Sequence, residues 1–183
     1  MILRPATADD VHEILRMRRE VAEWIRTAKH SDQWSRRRSL AALRRRLARW
    51  VEAGETWMVD DDGSPVGTMT VNSFTGKRLW APEETDSALF CHSMMTDRSL
   101  AGQGIGVELL DFACQLAQRR GKPWLRIDAW TTNTSLHRYY LRHGFRHVRT
   151  MPERRTGSAA LFERPSEVRT GTGMFTLDSW VAG

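Results

Sequence analysis

The sequence predicts an α/β fold, a mixed sheet with helices in a single layered domain. The prediction rests on elements that alternate between strand-like and helix-like patterns in mid-chain, strand-like runs that dominate elsewhere, and a length of 183 residues that suits one domain. Hydrophobic residues make up 40% of the chain and aromatics 9%, enough for one core. We expect that domain to span residues 1–183.

The elements follow in order. "MILRPA" reads as a short first strand. Thr7 suits a helix cap, with Asp9 and Asp10 in the first turn, where the macrodipole favours acids. Val11, Ile14, Leu15 and Val21 then form one apolar stripe. A second helix is expected over about Ser35–Ala53. Leu40, Leu43, Leu47 and Trp50 share its inward face, and Gly54 stops it. "TWMVDDDGSPVGTMTVNSF" is a hairpin, two apolar runs around a turn. A polar connection, "TGKRLWAPEETD", leads to the strand "SALFCHSMMT". The helix "GVELLDFACQLAQRRG" turns Leu109, Phe112, Ala113 and Leu116 inward. "PWLRIDAW" is a strand and "NTSLHRYYLRHG" a helix stopped by Gly144. "FRHVRTM" is another strand, and "GTGMFTLDSW" is expected to supply the last.

The N-terminus has no basic stretch followed by an apolar run, so no signal peptide is expected, and no run is long enough to cross a membrane. The two cysteines, Cys91 and Cys114, read as buried thiols, which points to the cytoplasm. The six histidines and the cysteines show no zinc-ligand spacing, so no metal is expected. Net charge is +6, with a pI near 10.1, concentrated in "RRRSLAALRRRLARW". That balance admits nucleic acid or an anionic cofactor. The apolar face of the same helix explains it as a packed amphipathic element, so a nucleic-acid or regulatory module is the minor alternative.

"AGQGIG", Ala101–Gly106, sits at a strand-to-helix junction. The first N–H groups of a helix have no intrahelical partner, and glycine leaves them open to an anion such as phosphate. A merely tight turn would also account for the glycines. No Gly-Lys-Ser/Thr follows, which excludes a Walker loop. Gly102, Gly104 and Gly106 miss the dinucleotide fingerprint, because Val107 stands where its third glycine belongs.

Taken together, the strand, "AGQGIG", the helix, "LRIDAW" and "NTSLHRYYLRHGF" resemble the GNAT superfamily of N-acetyltransferases. Gly104 and Gly106 match the small positions of its Arg/Gln-x-x-Gly-x-Gly/Ala turn. Asn133, Tyr140, Gly144 and Phe145 match its downstream Asn, Tyr and Gly-Phe. The likeness covers about residues 87–148. It implies a mostly antiparallel central sheet flanked by helices and acetyl-coenzyme A as acetyl donor. The coenzyme would lie along Met94, Met95 and Thr96 and on Ala101, Gly102, Gln103, Gly104, Ile105 and Gly106. A backbone N–H of Met94–Thr96 would face the acetyl oxygen, Asn133 would reach the coenzyme arm, and Tyr140 would act as general acid. Ala101 departs from the pattern, standing where the family usually has Arg or Gln. That leaves the phosphates to backbone amides, aided by Arg98 or Gln103.

Acetyl transfer to an amine also needs a base. Glu84, Asp86, His92 and Asp128 are the candidates, with a water relay as another route. Trp24, Trp34, Trp80 and Trp130, with Glu83, Glu84 and Asp86, would suit a cationic small amine. A protein amine is the alternative acceptor, and the chain is expected to be a monomer or homodimer.

Overall fold

The structure, a computed structural model, describes residues 1–29, 31, 33–34, 39–76, 79–151 and 157–177. The chain forms two compact units, each assembled from separate stretches of sequence.

The first unit comprises residues 1–70, 93–109 and the C-terminal stretch from Thr172. It holds β1 (Ile2–Pro5), α1 (Asp10–Ala28), α2 (Leu40–Glu52), β2 (Thr56–Asp61) and most of β3 (Ser64–Asn72). β2 pairs antiparallel with both β1 and β3. Asp62 and Gly63 make the turn between β2 and β3 with φ of 47° and 78°, the paired positive values of a two-residue hairpin loop. Val11, Ile14 and Met17 of α1 pack with Leu43, Leu47 and Val51 of α2 over Met58.

Three details differ from the sequence expectation. Thr7 does not cap α1; its backbone N–H and hydroxyl donate to Asp10, at 2.7 and 3.0 Å. Asp10 also grips Arg4, and a partly buried ion pair takes the place of a simple cap there. Leu40 is 67% exposed, because α2 begins with it, capped by the Ser39 hydroxyl accepting from the Ala42 N–H. Val51 takes the inward place instead. Residues 35–38 of the expected helix lie outside the described residues.

The second unit comprises residues 71–92 and 110–171. The polar connection contains a short helix, α3 (Pro82–Asp86). The first half of β4 (Ala88–Thr96) runs parallel to β5 (Trp124–Trp130). β6 (Arg146–Thr150) and β5 flank a strand absent from the sequence reading, β7 (Ser158–Pro165), antiparallel to both. α4 (Ile105–Arg119) enters this unit after its first residues, and α5 (Thr134–Arg142) follows β5. Trp80, Phe90 and Leu161 fill one core cluster. The expected last strand is shorter than "GTGMFTLDSW": β8 (Thr176–Leu177), in the first unit, parallel to β1; residues 178–183 are not described.

Candidate active site

In the first unit, β4 leads into the glycine turn. Ser93 takes a φ of 50°, rare for a residue with a side chain, and interrupts the extended strand. The ladder from β4 to β5 covers Ala88–Phe90, before that break. Past it, Met95 is buried against α1 and α2, while Met94 and Thr96 are half-buried. A single 3₁₀ turn, Arg98–Leu100, follows. Asp97 caps it, accepting from the Ser99 N–H and hydroxyl at 2.8 and 2.7 Å. The Asp97 N–H ties the turn to the Val66 carbonyl at 2.8 Å.

The glycines then have a specific use. Gly102 and Gly104 adopt φ of 90° and 86°, the left-handed region that costs a side-chain-bearing residue about 1–2 kcal/mol. A Cβ on Gly102 would meet nothing within 4 Å, so protein crowding is not the reason for glycine there. Ile105 buries its side chain and pins the start of α4. The Ala101 and Gln103 amides bond back to Arg98 and Leu100, and those of Val107 and Glu108 to Gly104. Between them, the N–H groups of Gly102, Gly104, Ile105 and Gly106 find no acceptor among the described residues. Amides without an acceptor at a helix start form a cradle for an anion.

The remaining sequence candidates lie in the second unit. Asn133 caps α5, its side-chain oxygen accepting from the Leu136 N–H at 3.0 Å. Tyr140 is buried, its ring 5.4 Å from Phe145 and 5.9 Å from Phe162. Burial holds its phenol well above the ordinary value. Tyr139 is half-buried, rests on His143 at 4.5 Å between ring centres, and is pushed up to about 12, again by burial. Both phenols stay protonated at neutral pH, so either could donate a proton but neither is a base.

The four base candidates differ sharply. Glu84 caps α3 by accepting from the Ala81 N–H and pairs with Arg149 at 2.6 Å. The Arg149 hydrogen bonds hold its carboxyl down at about 2, which makes it a poor proton acceptor. Asp86 is exposed at the end of α3. Asp128 accepts from the Trp80 indole at 2.7 Å. His92 places Nε2 2.7 Å from the Phe74 carbonyl, which can only accept. Nε2 therefore carries the hydrogen, and Nδ1 is the basic nitrogen of the neutral ring.

Cys91 and Cys114 are free and buried, and burial pushes the Cys91 thiol up to about 12, which suits no nucleophile. Among the described residues, no group of His, Cys, Asp or Glu could hold a metal ion, and no helix is long and apolar enough to cross a membrane.

Residues 15–145 match the model of the acetyltransferase (GNAT) family, and the chain belongs to that family of N-acetyltransferases. It is 25% identical over 144 residues to the "Uncharacterized N-acetyltransferase YesJ" of Bacillus subtilis (strain 168), covering 77% of this chain and 79% of that one. Solved structures share the fold. A GNAT-family acetyltransferase from Listeria monocytogenes 4b F2365 superposes with a TM-score of 0.67 at 20% identity, covering 90% of this chain and 94% of that one. The PaiA N-acetyltransferase from Thermoplasma acidophilum, solved in complex with coenzyme A, gives 0.66 at 14% identity, covering 89% and 97%. A ribosomal-protein-alanine N-acetyltransferase from Brucella melitensis gives 0.66 at 15%, covering 90% and 99%.

Proposed function

We propose that the protein transfers the acetyl group of acetyl-coenzyme A directly to the amine of a small molecule. The observation that carries this reading is the row of amides at Gly102, Gly104, Ile105 and Gly106, which find no acceptor among the described residues. The family's turn of this pattern holds the coenzyme diphosphate, which supports giving these amides the same use. A backbone N–H of Met94–Thr96 steadies the oxygen that gains charge as the amine attacks the acetyl carbon. The carbon–nitrogen bond forms, the carbon–sulfur bond breaks, and Tyr140 supplies a proton to the departing sulfur. Its high pKa keeps that proton in place until the thiolate appears. Of the base candidates, His92 and Asp128 fit best, since Glu84 is held as a carboxylate by Arg149. Asn133 contributes through α5, whose start it fixes.

The test is thiol release from acetyl-coenzyme A against a panel of small amines and amine-bearing peptides. Amine-dependent thiol release with a small amine supports the reading. Release with peptides alone moves the acceptor to protein amines, and none with any amine overturns the catalytic assignment.

A further inference from the structure

In the first unit, α1 and the turn after β4 line a cavity of about 260 Å³. Sites for drug-sized ligands run to about 300–1,000 Å³, so this one suits a smaller molecule. Met17 and Val21, packed in the core of the unit, give it an apolar wall, and the half-buried Trp24 an aromatic one. Thr96, the last residue of β4, also lines it, so the cavity reaches the stretch Met94–Thr96 proposed to steady the acetyl oxygen.

The charged groups of the lining are two guanidiniums, Arg16 and Arg98, and two carboxylates, Glu20 and Asp97. Three of the four are engaged. Arg16 pairs with Glu20 at 2.6 Å and with Glu13, and Asp97 accepts from the Ser99 N–H and hydroxyl. Arg98 has no carboxylate partner among the described residues. Its guanidinium lies 3.8 Å from the centre of the Trp24 ring, and the Lys29 ammonium 5.4 Å from the same ring. Stacking on an indole steadies the plane of a guanidinium, while its N–H donors, which lie in that plane, stay available to a carboxylate. The charge left unmatched in this lining is therefore positive. A ligand that complements it has an apolar or aromatic body and an anionic group.

We infer that this cavity binds the acceptor, and that Arg98, held on Trp24, selects an amine that also carries a carboxylate and an apolar or aromatic body, the chemistry of a hydrophobic amino acid. The inference rests on the proposed acetyl transfer to a small amine. The experiment compares matched acceptors that differ in the carboxylate: L-phenylalanine with L-phenylalaninamide and phenethylamine, and L-leucine with isoamylamine. Thiol release from acetyl-coenzyme A reads their use, and calorimetry with coenzyme A present reads their binding. Wild type should prefer the carboxylate member of a pair. Arg98→Gln should lower that preference about tenfold or more, chiefly through KM, Arg98→Lys should recover part of it, and Trp24→Leu should lose part of it. Equal or better binding of the carboxylate-free member in every pair overturns the inference. So does a normally melting Arg98→Gln protein that keeps the wild-type preference, or one whose loss is the same for both members and is matched by weaker coenzyme A binding. If no amine drives thiol release, acetyl transfer to a small amine fails, while the calorimetric preference between the members of each pair still decides what the cavity binds.

Discussion

Replacing Gly104 by alanine and by aspartate separates backbone strain from charge in the glycine turn. A Cβ at this position would meet Met174 Cε at 3.7 Å and Val107 Cγ1 at 3.8 Å, ordinary contacts that require no rearrangement. The protein cost of either substitution is therefore the φ of 86°, worth about 1–2 kcal/mol of folding stability. Both variants should melt alike and lower than wild type. They should differ in coenzyme affinity. The aspartate adds a negative charge ~5 Å from the expected diphosphate. At an effective dielectric near 20, a single pair of like charges at that distance costs about 3 kcal/mol. That corresponds to about a hundredfold in dissociation constant. Calorimetry with coenzyme A, beside thermal melts, reads both quantities. Equal coenzyme affinity in Gly104→Asp and Gly104→Ala would refute the reasoning, since no anion could then sit over the turn.

Other consequences follow from the same geometry. Tyr140→Phe should lower kcat on the order of 10²-fold or more with little change in coenzyme affinity, and Tyr139→Phe should not; equal turnover in Tyr140→Phe and wild type would remove the catalytic role. Ala101→Arg should tighten coenzyme binding by adding a charge-assisted contact to the turn; calorimetric titration with coenzyme A measures the gain, and no gain would show that the turn does not need that side chain. Gly144→Ala should destabilise the fold by about 2–4 kcal/mol in urea melts, because its φ is 78° and the new Cβ would lie 2.9 Å from Val168 Cγ1. The Glu84–Arg149 pair should stabilise the protein above the ordinary carboxylate range, with the contribution lost as pH falls from about 4.5 to about 2. Arg149 is 36% exposed, so screening limits the effect to on the order of 1 kcal/mol. The gap in stability between wild type and Glu84→Gln should accordingly close on acidification.

What the sequence revealed and what it hid have physical explanations. The turn, the Asp-Gly hairpin and the Gly54 and Gly144 stops are local, since each depends on conformations that glycine reaches easily, and all were readable. β7 was not, because "SAALFERP" ends in charges that suggest surface. Glu163 is instead buried between Arg126 and Arg146, at 2.7 and 2.5 Å, and Arg164 is fully buried beside Cys114 and Asp111. Those partners are distant in sequence, so no local pattern announces them. Glu108 and Asp111 of α4 were passed over for the same reason. They accept backbone N–H groups from Thr170–Gly173, and two acids inside an otherwise apolar helix stretch were the available signal. Leu40 shows the reverse error, since helical phase alone cannot tell that a residue at the end of a helix has nothing to pack against. Among the base candidates, the ion pair that disqualifies Glu84 as a base joins it to Arg149, again remote in sequence.

The central claim is that unpartnered amides of the glycine turn hold the coenzyme diphosphate. Amide NMR during a coenzyme A titration tests it most directly. The account predicts large, saturable shifts at the N–H signals of Gly102, Gly104, Ile105 and Gly106, with smaller ones at Val107 and Glu108, whose N–H groups already bond to the Gly104 carbonyl. Saturation of the protein with coenzyme A while those four signals stay in place would contradict it.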